Sequence, residues 1–138
     1  MSRFVLDASV AVAWVVDRNP DPYAETVRQR IRGGSKPLVP ALWQLEVANV
    51  LTLVRRRKVL TDDEVEEGLD YFQTFAANVA EIDINFLSIQ EAFRICKEVG
   101  LTAYDAVYFE LARREDLPLA TLDKALREGA TKSGLALF

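Results

Sequence analysis

The chain has 138 residues, half of them hydrophobic and 28% charged, which predicts one compact domain over residues 1–138. It contains no histidine, which excludes Ser-His-Asp and Cys-His catalysis, histidine-based acid–base chemistry and histidine-bound zinc. A net charge of −4 argues against a broad basic surface for nucleic acid, and the single Cys96 excludes an internal disulfide. Hydrolytic chemistry would therefore have to use carboxylates, which select hard cations such as Mg²⁺ or Mn²⁺.

The N-terminus faintly resembles a secretory signal, since Arg3 is followed by apolar residues as far as Val16. Asp7 interrupts this run, however, and the stretch from Ala8 to Val16 is too short to span a bilayer. We therefore expect a cytoplasmic protein.

Hydrophobic periodicity predicts strands that alternate with helices along the whole chain. The predicted elements, in order, are a strand at 4–6, helices at 8–16 and 23–32, a strand at 38–39, helices at 42–58 and 62–77, a strand at 81–84, helices at 87–99 and 104–114, a strand at 119–121, a helix at 124–128 and a strand at 135–138. This alternation indicates an α/β sandwich built around a mostly parallel sheet.

Four acidic residues are placed where such a sheet would gather them. Asp7 and Asp123 follow apolar strands, Asp105 opens a helix, and Glu46 lies in the first turns of another. Ligands collect beyond the carboxyl ends of parallel strands, so we expect these side chains to lie close together. Neighbouring carboxylates repel one another unless a divalent cation neutralises them. The arrangement therefore predicts a magnesium site.

Each acid also has a structural alternative. Asp7 and Asp123 are suited to cap the helices that follow them, and Thr102 with Asp105 fits a variant of the capping box. Glu46 lies in an apolar helix, where a carboxylate usually needs a partner; the alternative for it is a buried ion pair with an arginine.

The acids occur within four short motifs: Asp7-x-Ser9, Glu46-x-x-Asn49, Tyr104-Asp105-Ala106 and Thr121-x-Asp123. In this order, and over essentially the whole chain, they resemble a PIN-domain ribonuclease, more closely a VapC-type toxin of a prokaryotic toxin–antitoxin system. The resemblance implies a three-layer α/β/α sandwich with a central, mostly parallel sheet. It also implies magnesium-dependent endonucleolytic cleavage of RNA by an activated water.

The same resemblance assigns roles to individual residues. The expected ligands of one or two Mg²⁺ ions, with Mn²⁺ as the alternative, are Asp7, Glu46, Asp105 and Asp123. Ser9 and Thr121 are expected to position water, metal or phosphate, and Asn49 to support the acids. The implied partners are an RNA substrate, a cognate antitoxin protein and a second copy of the chain.

Two further features have competing interpretations. The basic run from Arg55 to Lys58 is interpreted as a solvated helix end, with an RNA-backbone contact or a partner interface as the alternative. Trp14 and Trp43 are predicted to lie in the core. Tyr104 and Tyr108 are predicted to pack between helices, with stacking on a base as the alternative.

Two other functional classes remain open. A phosphotransfer domain that forms an aspartyl phosphate fits poorly, because Asp7 has no second acid beside it in Leu6-Asp7-Ala8-Ser9. A non-catalytic interaction module would use the four acids only as helix caps.

Overall fold

The computed structural model describes residues 2–138. Within this range four strands and seven helices alternate along the chain. They are β1 (Arg3–Leu6), α1 (Ala8–Val16), α2 (Pro22–Arg32), β2 (Lys36–Pro40), α3 (Leu42–Arg56), α4 (Asp62–Asn78), β3 (Glu81–Asp83), α5 (Ile89–Val99), α6 (Ala103–Glu115), β4 (Leu119–Ala120) and α7 (Lys124–Lys132).

The four strands form one parallel sheet in the order β3-β2-β1-β4. Phe4, Val5 and Leu6 of β1 are all fully buried. Successive residues of a strand point to opposite faces, so helices must cover both faces of the sheet at this strand. The predicted three-layer α/β/α sandwich with a parallel sheet is confirmed.

The order in which strands are added to the sheet reverses at β1. Strands β2 and β3 lie on one side of β1, and β4 lies on the other side. At the carboxyl edge the backbone N–H of Asp7 donates to the carbonyl of Ala120 at 2.9 Å. The segments that follow β1 and β4 therefore leave the sheet side by side. Such a topological switch point creates a crevice, and ligands of α/β proteins bind there.

The predicted strand at 135–138 is wrong. Leu137 makes a single parallel bridge to Leu119, and the N–H of Phe138 donates to the carbonyl of Leu119. A longer ladder cannot form, because β4 has only two residues and Pro118 before it has no N–H to donate. The ring of Phe138 instead stacks on Phe4, with 3.8 Å between the ring centroids.

Three helix boundaries differ from those predicted by two or more residues, each for a local reason. Helix α3 ends at Arg56, before Lys58 takes a left-handed φ of 56°. Helix α5 begins only after Ser88, whose hydroxyl accepts the N–H of Glu91. Helix α7 continues through Gly129, because this glycine lets the helix approach Val99 closely: a Cβ here would lie 2.8 Å from the Val99 side chain.

The core is built on aromatic side chains, as predicted for Trp14 and Trp43, which are 6% and 1% exposed. Both rings contact Phe75 of α4, with centroid separations of 5.7 Å. Helix α4 therefore packs against both α1 and α3. Between Ser2 and Phe138, no helix combines the length and apolar character needed to cross a bilayer.

Candidate active site

A cleft of about 370 Å³ opens at the carboxyl ends of β1 and β4. It is walled by the first turns of α1, α6 and α7 and by the middle of α3. Its lining residues are Asp7, Ala8, Ser9, Val12, Glu46, Asn49, Val50, Asp105 and Asp123. The structure thus brings all four predicted acids to one cleft, together with Ser9 and Asn49, and none of the lining residues is basic.

Asp7 is the most deeply buried of the acids, with 5% of its surface exposed. Its Oδ2 accepts hydrogen bonds from the hydroxyls of Ser9 at 2.6 Å and Thr121 at 2.7 Å. Its side chain makes no capping bond to α1, so the capping alternative is wrong for Asp7. Burial raises the pKa of Asp7 and the charge of Asp123 adds to this, while the two hydroxyls oppose it.

Ser9 and Thr121 join the two segments that follow β1 and β4. The N–H of Leu122 donates to the Ser9 hydroxyl, and the N–H of Asp123 donates to the Thr121 hydroxyl, both at 3.0 Å. Thr121 is fully buried and lies behind Asp7 rather than on the cleft wall. The two hydroxyls therefore fix the carboxylate of Asp7 and the backbone that carries Asp123.

Asp123 and Asp105 both sit at helix N-termini. Oδ1 of Asp123 accepts the N–H of Leu126 at 2.8 Å, so the capping prediction is confirmed for this residue, although it also lines the cleft. For α6 the cap is Thr102, whose hydroxyl accepts the N–H of Asp105. Burial raises the pKa of Asp105 to about 6, with further contributions from the charges of Asp123 and Asp7.

Glu46 is held by a tyrosine rather than by an arginine. The hydroxyl of Tyr108 donates a short hydrogen bond to Oε1 of Glu46, and no ion pair to Glu46 exists within residues 2–138. The alternative interpretation of Glu46, a buried ion pair with an arginine, is therefore wrong. Burial raises the pKa of Glu46, as do the charges of Asp7 and Asp105, and the Tyr108 hydroxyl opposes this.

Sequence reasoning missed the role of Tyr108. This residue is fully buried, as its predicted packing requires, whereas Tyr104 is 64% exposed and its predicted packing is wrong. The available signal was spacing: Tyr108 lies three residues after Asp105, so the two share one face of α6.

The cleft suits a hard cation by the chemistry of its donor atoms. Carboxylate, hydroxyl and amide oxygens surround it, and these are the ligands that Mg²⁺ prefers. Burial is the main cause of the raised pKa values of Asp7, Glu46 and Asp105, the charges of neighbouring acids add to it, and no basic side chain lines the cleft. In the described part of the chain, no three acidic or cysteine side chains lie close enough together, in their present positions, to hold a metal ion.

Comparison with known proteins identifies the family. The model of the PIN domain matches residues 4–132. The chain belongs to the PIN domain family. It is also similar to the ribonuclease VapC3 of Pyrobaculum aerophilum, with 30% identity over 131 residues, which cover 91% of this chain and 93% of that protein. The predicted membership of the VapC-type PIN domains is confirmed.

Solved structures show the same PIN-like fold. PAE2754 from Pyrobaculum aerophilum matches with a TM-score of 0.66 and 20% identity, over 93% of this chain and 84% of that one. VapBC2 from Rickettsia felis, bound to a DNA fragment from their promoter, matches with a TM-score of 0.64 and 16% identity, over 99% of this chain and 97% of that one. At these identities the likeness concerns the fold alone.

Proposed function

We propose that this PIN domain is a magnesium-dependent endoribonuclease and the toxin of a type II toxin–antitoxin pair. The observation that carries the proposal is the meeting of Asp7, Glu46, Asp105 and Asp123 around one cleft that contains no basic side chain. The similarity to a ribonuclease over nearly all of the chain supports RNA as the substrate.

In this proposal the four carboxylates hold the metal ion, which is Mg²⁺ or, as the alternative hard cation, Mn²⁺. When bound, the ion activates water as the nucleophile and neutralises charge on the scissile phosphate. Asp7 is the most rigid ligand, because two hydroxyls fix its Oδ2. Tyr108 orients Glu46 through the hydrogen bond to Oε1. Such supporting contacts commonly decide how well a metal site works.

The remaining cleft residues have supporting roles. Ser9 and Thr121 position Asp7, while Asn49 lies exposed one helical turn after Glu46 and is placed to contact the substrate. No side-chain nucleophile is needed for metal-assisted hydrolysis, so the absence of histidine agrees with this mechanism.

We propose two protein partners. The first is an antitoxin, and the fold shared with a protein of a VapBC2 assembly supports it. The second is another copy of this chain, which would cover an exposed apolar face made of Leu45, Phe86 and Tyr104. These side chains line a groove of about 360 Å³ whose lining contains no charged residue. An uncharged apolar surface is self-complementary, as a two-fold dimer interface requires.

The proposed active site is tested by near-isosteric substitution of its acids. Asp7→Asn and Asp105→Asn are expected to abolish cleavage of total cellular RNA in Mg²⁺ while both proteins remain folded. Asp70→Asn, which neutralises an exposed acid of α4, is the matched control and should cleave at the wild-type rate. Full activity in Asp105→Asn would contradict the proposal, and RNA left intact by every protein would favour the non-catalytic module.

A further inference from the structure

A basic depression of about 530 Å³ lies at the ends of α1 and α3 that point away from the acidic cleft. Its cationic lining residues are Arg18, just beyond α1, and Arg55, Arg56 and Lys58 at the end of α3. The basic run of the sequence is therefore not a lone helix end, because a second element contributes to the same surface.

The positive charge of the basic depression is only partly compensated. Arg55 pairs with Asp62 at 3.1 Å, and Glu64 is engaged in the capping box with Thr61. Arg18, Arg56 and Lys58 form no ion pair with any of residues 2–138. Glu64 keeps its negative charge and lies near Arg18, so the four cations and two acids of the lining leave a net charge of +2, in a chain whose net charge is −4. A local excess of positive charge of this kind attracts an anionic ligand.

The backbone at Lys58 brings a further positive charge to this surface. Lys58 has a φ of 56°, a left-handed conformation that glycine usually occupies at the end of a helix. A lysine there costs stability relative to glycine, and the turn that it makes places its side chain at the depression.

Helices α1 and α3 both lead from the acidic cleft to the basic depression. On α3, Asn49 lines the cleft and Arg56 follows seven residues later on the same face, ~10 Å along the helix. Thr52 is exposed and Leu53 is partly exposed between them, so this face of α3 is open to solvent. On α1, Val12 lines the cleft and Arg18 the depression. A few nucleotides of a single strand are long enough to connect the two sites.

We propose that the basic depression binds backbone phosphates of the RNA substrate, a few nucleotides from the bond that is cleaved. This inference rests on the proposed ribonuclease function and adds a subsite to it. Arginine and lysine contacts to phosphate position the strand without reading its bases, so the subsite raises affinity for RNA of any sequence. It places the RNA strand along α3 and so determines the path of the substrate across the cleft.

The test uses a short transcript that contains one cleavage site mapped on total cellular RNA. Arg18→Gln/Arg56→Gln removes two positive charges from the depression. Lys36→Gln/Lys97→Gln is the matched control: it removes two exposed charges, one at the opposite edge of the sheet and one on α5. Michaelis–Menten kinetics in Mg²⁺ are measured over a range of salt concentrations, after thermal unfolding has shown that both proteins are folded.

For the depression variant we expect KM to rise on the order of tenfold with kcat retained, and the slope of log KM against log salt to flatten by about 1.4. The control should match the wild-type protein in all three quantities. If the wild-type protein cleaves but the depression variant has unchanged KM and slope, the subsite is wrong and the ribonuclease stands. If the wild-type protein cleaves no RNA, the proposed function fails and the subsite with it. A variant that cleaves normally but escapes inhibition by its antitoxin would assign the depression to the protein partner and overturn the inference.

Discussion

The hydroxyl of Tyr108 donates a hydrogen bond to Oε1 of Glu46, which lies 62 positions earlier in the chain. This contact joins α6 to α3 across the floor of the acidic cleft. Tyr108 is fully buried, and burial together with the charges of Asp7 and Glu46 raises its pKa, so it remains a proton donor at every working pH. The Glu46 carboxylate is therefore oriented by a neutral group that leaves its charge free to face the cleft.

Tyr108→Phe removes this orienting hydrogen bond and little else. We expect the free energy of unfolding to fall by about 1 kcal/mol, because the carboxylate keeps partial access to water. Cleavage should fall by ~10–100-fold, as is typical when a partner of a metal ligand is removed. Chemical denaturation and initial rates in Mg²⁺ measure the two effects. Tyr104→Phe, on the exposed side of the same helix, is the control, and an equal loss of rate in that variant would refute the role of the Tyr108 hydroxyl.

Thr121→Val tests the hydroxyl network behind Asp7. The substitution keeps the shape of the side chain but removes a donor to Asp7 and an acceptor for the N–H of Asp123. With buried partners left unsatisfied, we expect a loss of about 1–3 kcal/mol in the free energy of unfolding, together with reduced cleavage. Thr121→Ser retains the hydroxyl and should recover most of both. Wild-type stability in the valine variant would show that the network is dispensable.

Asp105 gives the metal-free protein a pH-dependent stability. Its pKa is about 6 in the folded protein and 3.8 without the fold, so the folded state binds the proton more tightly. Stability should therefore fall as pH rises from about 4 through about 6, because the unfolded state releases this proton first. Melting temperatures in EDTA across this range should decline less steeply for Asp105→Asn than for the wild-type protein. Parallel curves for the two proteins would mean that the fold does not raise the pKa of Asp105.

The apolar face makes a prediction about assembly. Phe86 is 91% exposed on this face, and Phe86→Asp would place a charge in the proposed interface between two copies. We expect the variant to sediment as a monomer at concentrations at which the wild-type protein is a dimer. Phe86→Leu keeps the surface apolar and should remain dimeric. A wild-type protein that is monomeric at micromolar concentration would contradict the proposed dimer.

Much of the fold could be predicted from the sequence because it follows from local patterns. The unbroken apolar run of Phe4, Val5 and Leu6 indicated a strand covered on both faces, and the capping box at Thr61 located the start of α4. The terminal segment 135–138 was predicted wrongly because its apolar residues satisfy a strand pattern. Only the tertiary structure shows that β4 is too short to pair with it.

The motifs of the candidate site could be predicted from the sequence, but the contacts between its side chains could not. The three aspartates were found because each follows a strand or opens a helix, and Glu46 because it is a carboxylate within an apolar helix. Parallel topology then brings these positions together. The partner of Glu46 could not be predicted, because a tyrosine hydroxyl and an arginine guanidinium can each donate a hydrogen bond to a buried carboxylate. The basic depression was predicted only in part: the run from Arg55 to Lys58 was noted, but Arg18 is brought beside it by the packing of α1 against α3 and not by any sequence motif.

The most direct test of this account is the metal dependence of RNA cleavage by the purified wild-type protein. Total cellular RNA is incubated with the protein in Mg²⁺, in Mn²⁺ or in EDTA, and the cleaved positions are mapped. We expect cuts at discrete positions with either cation and none in EDTA. Cleavage that persists in EDTA, or RNA that stays intact in both cations, would contradict the claim that the four carboxylates form a metal-dependent nuclease site.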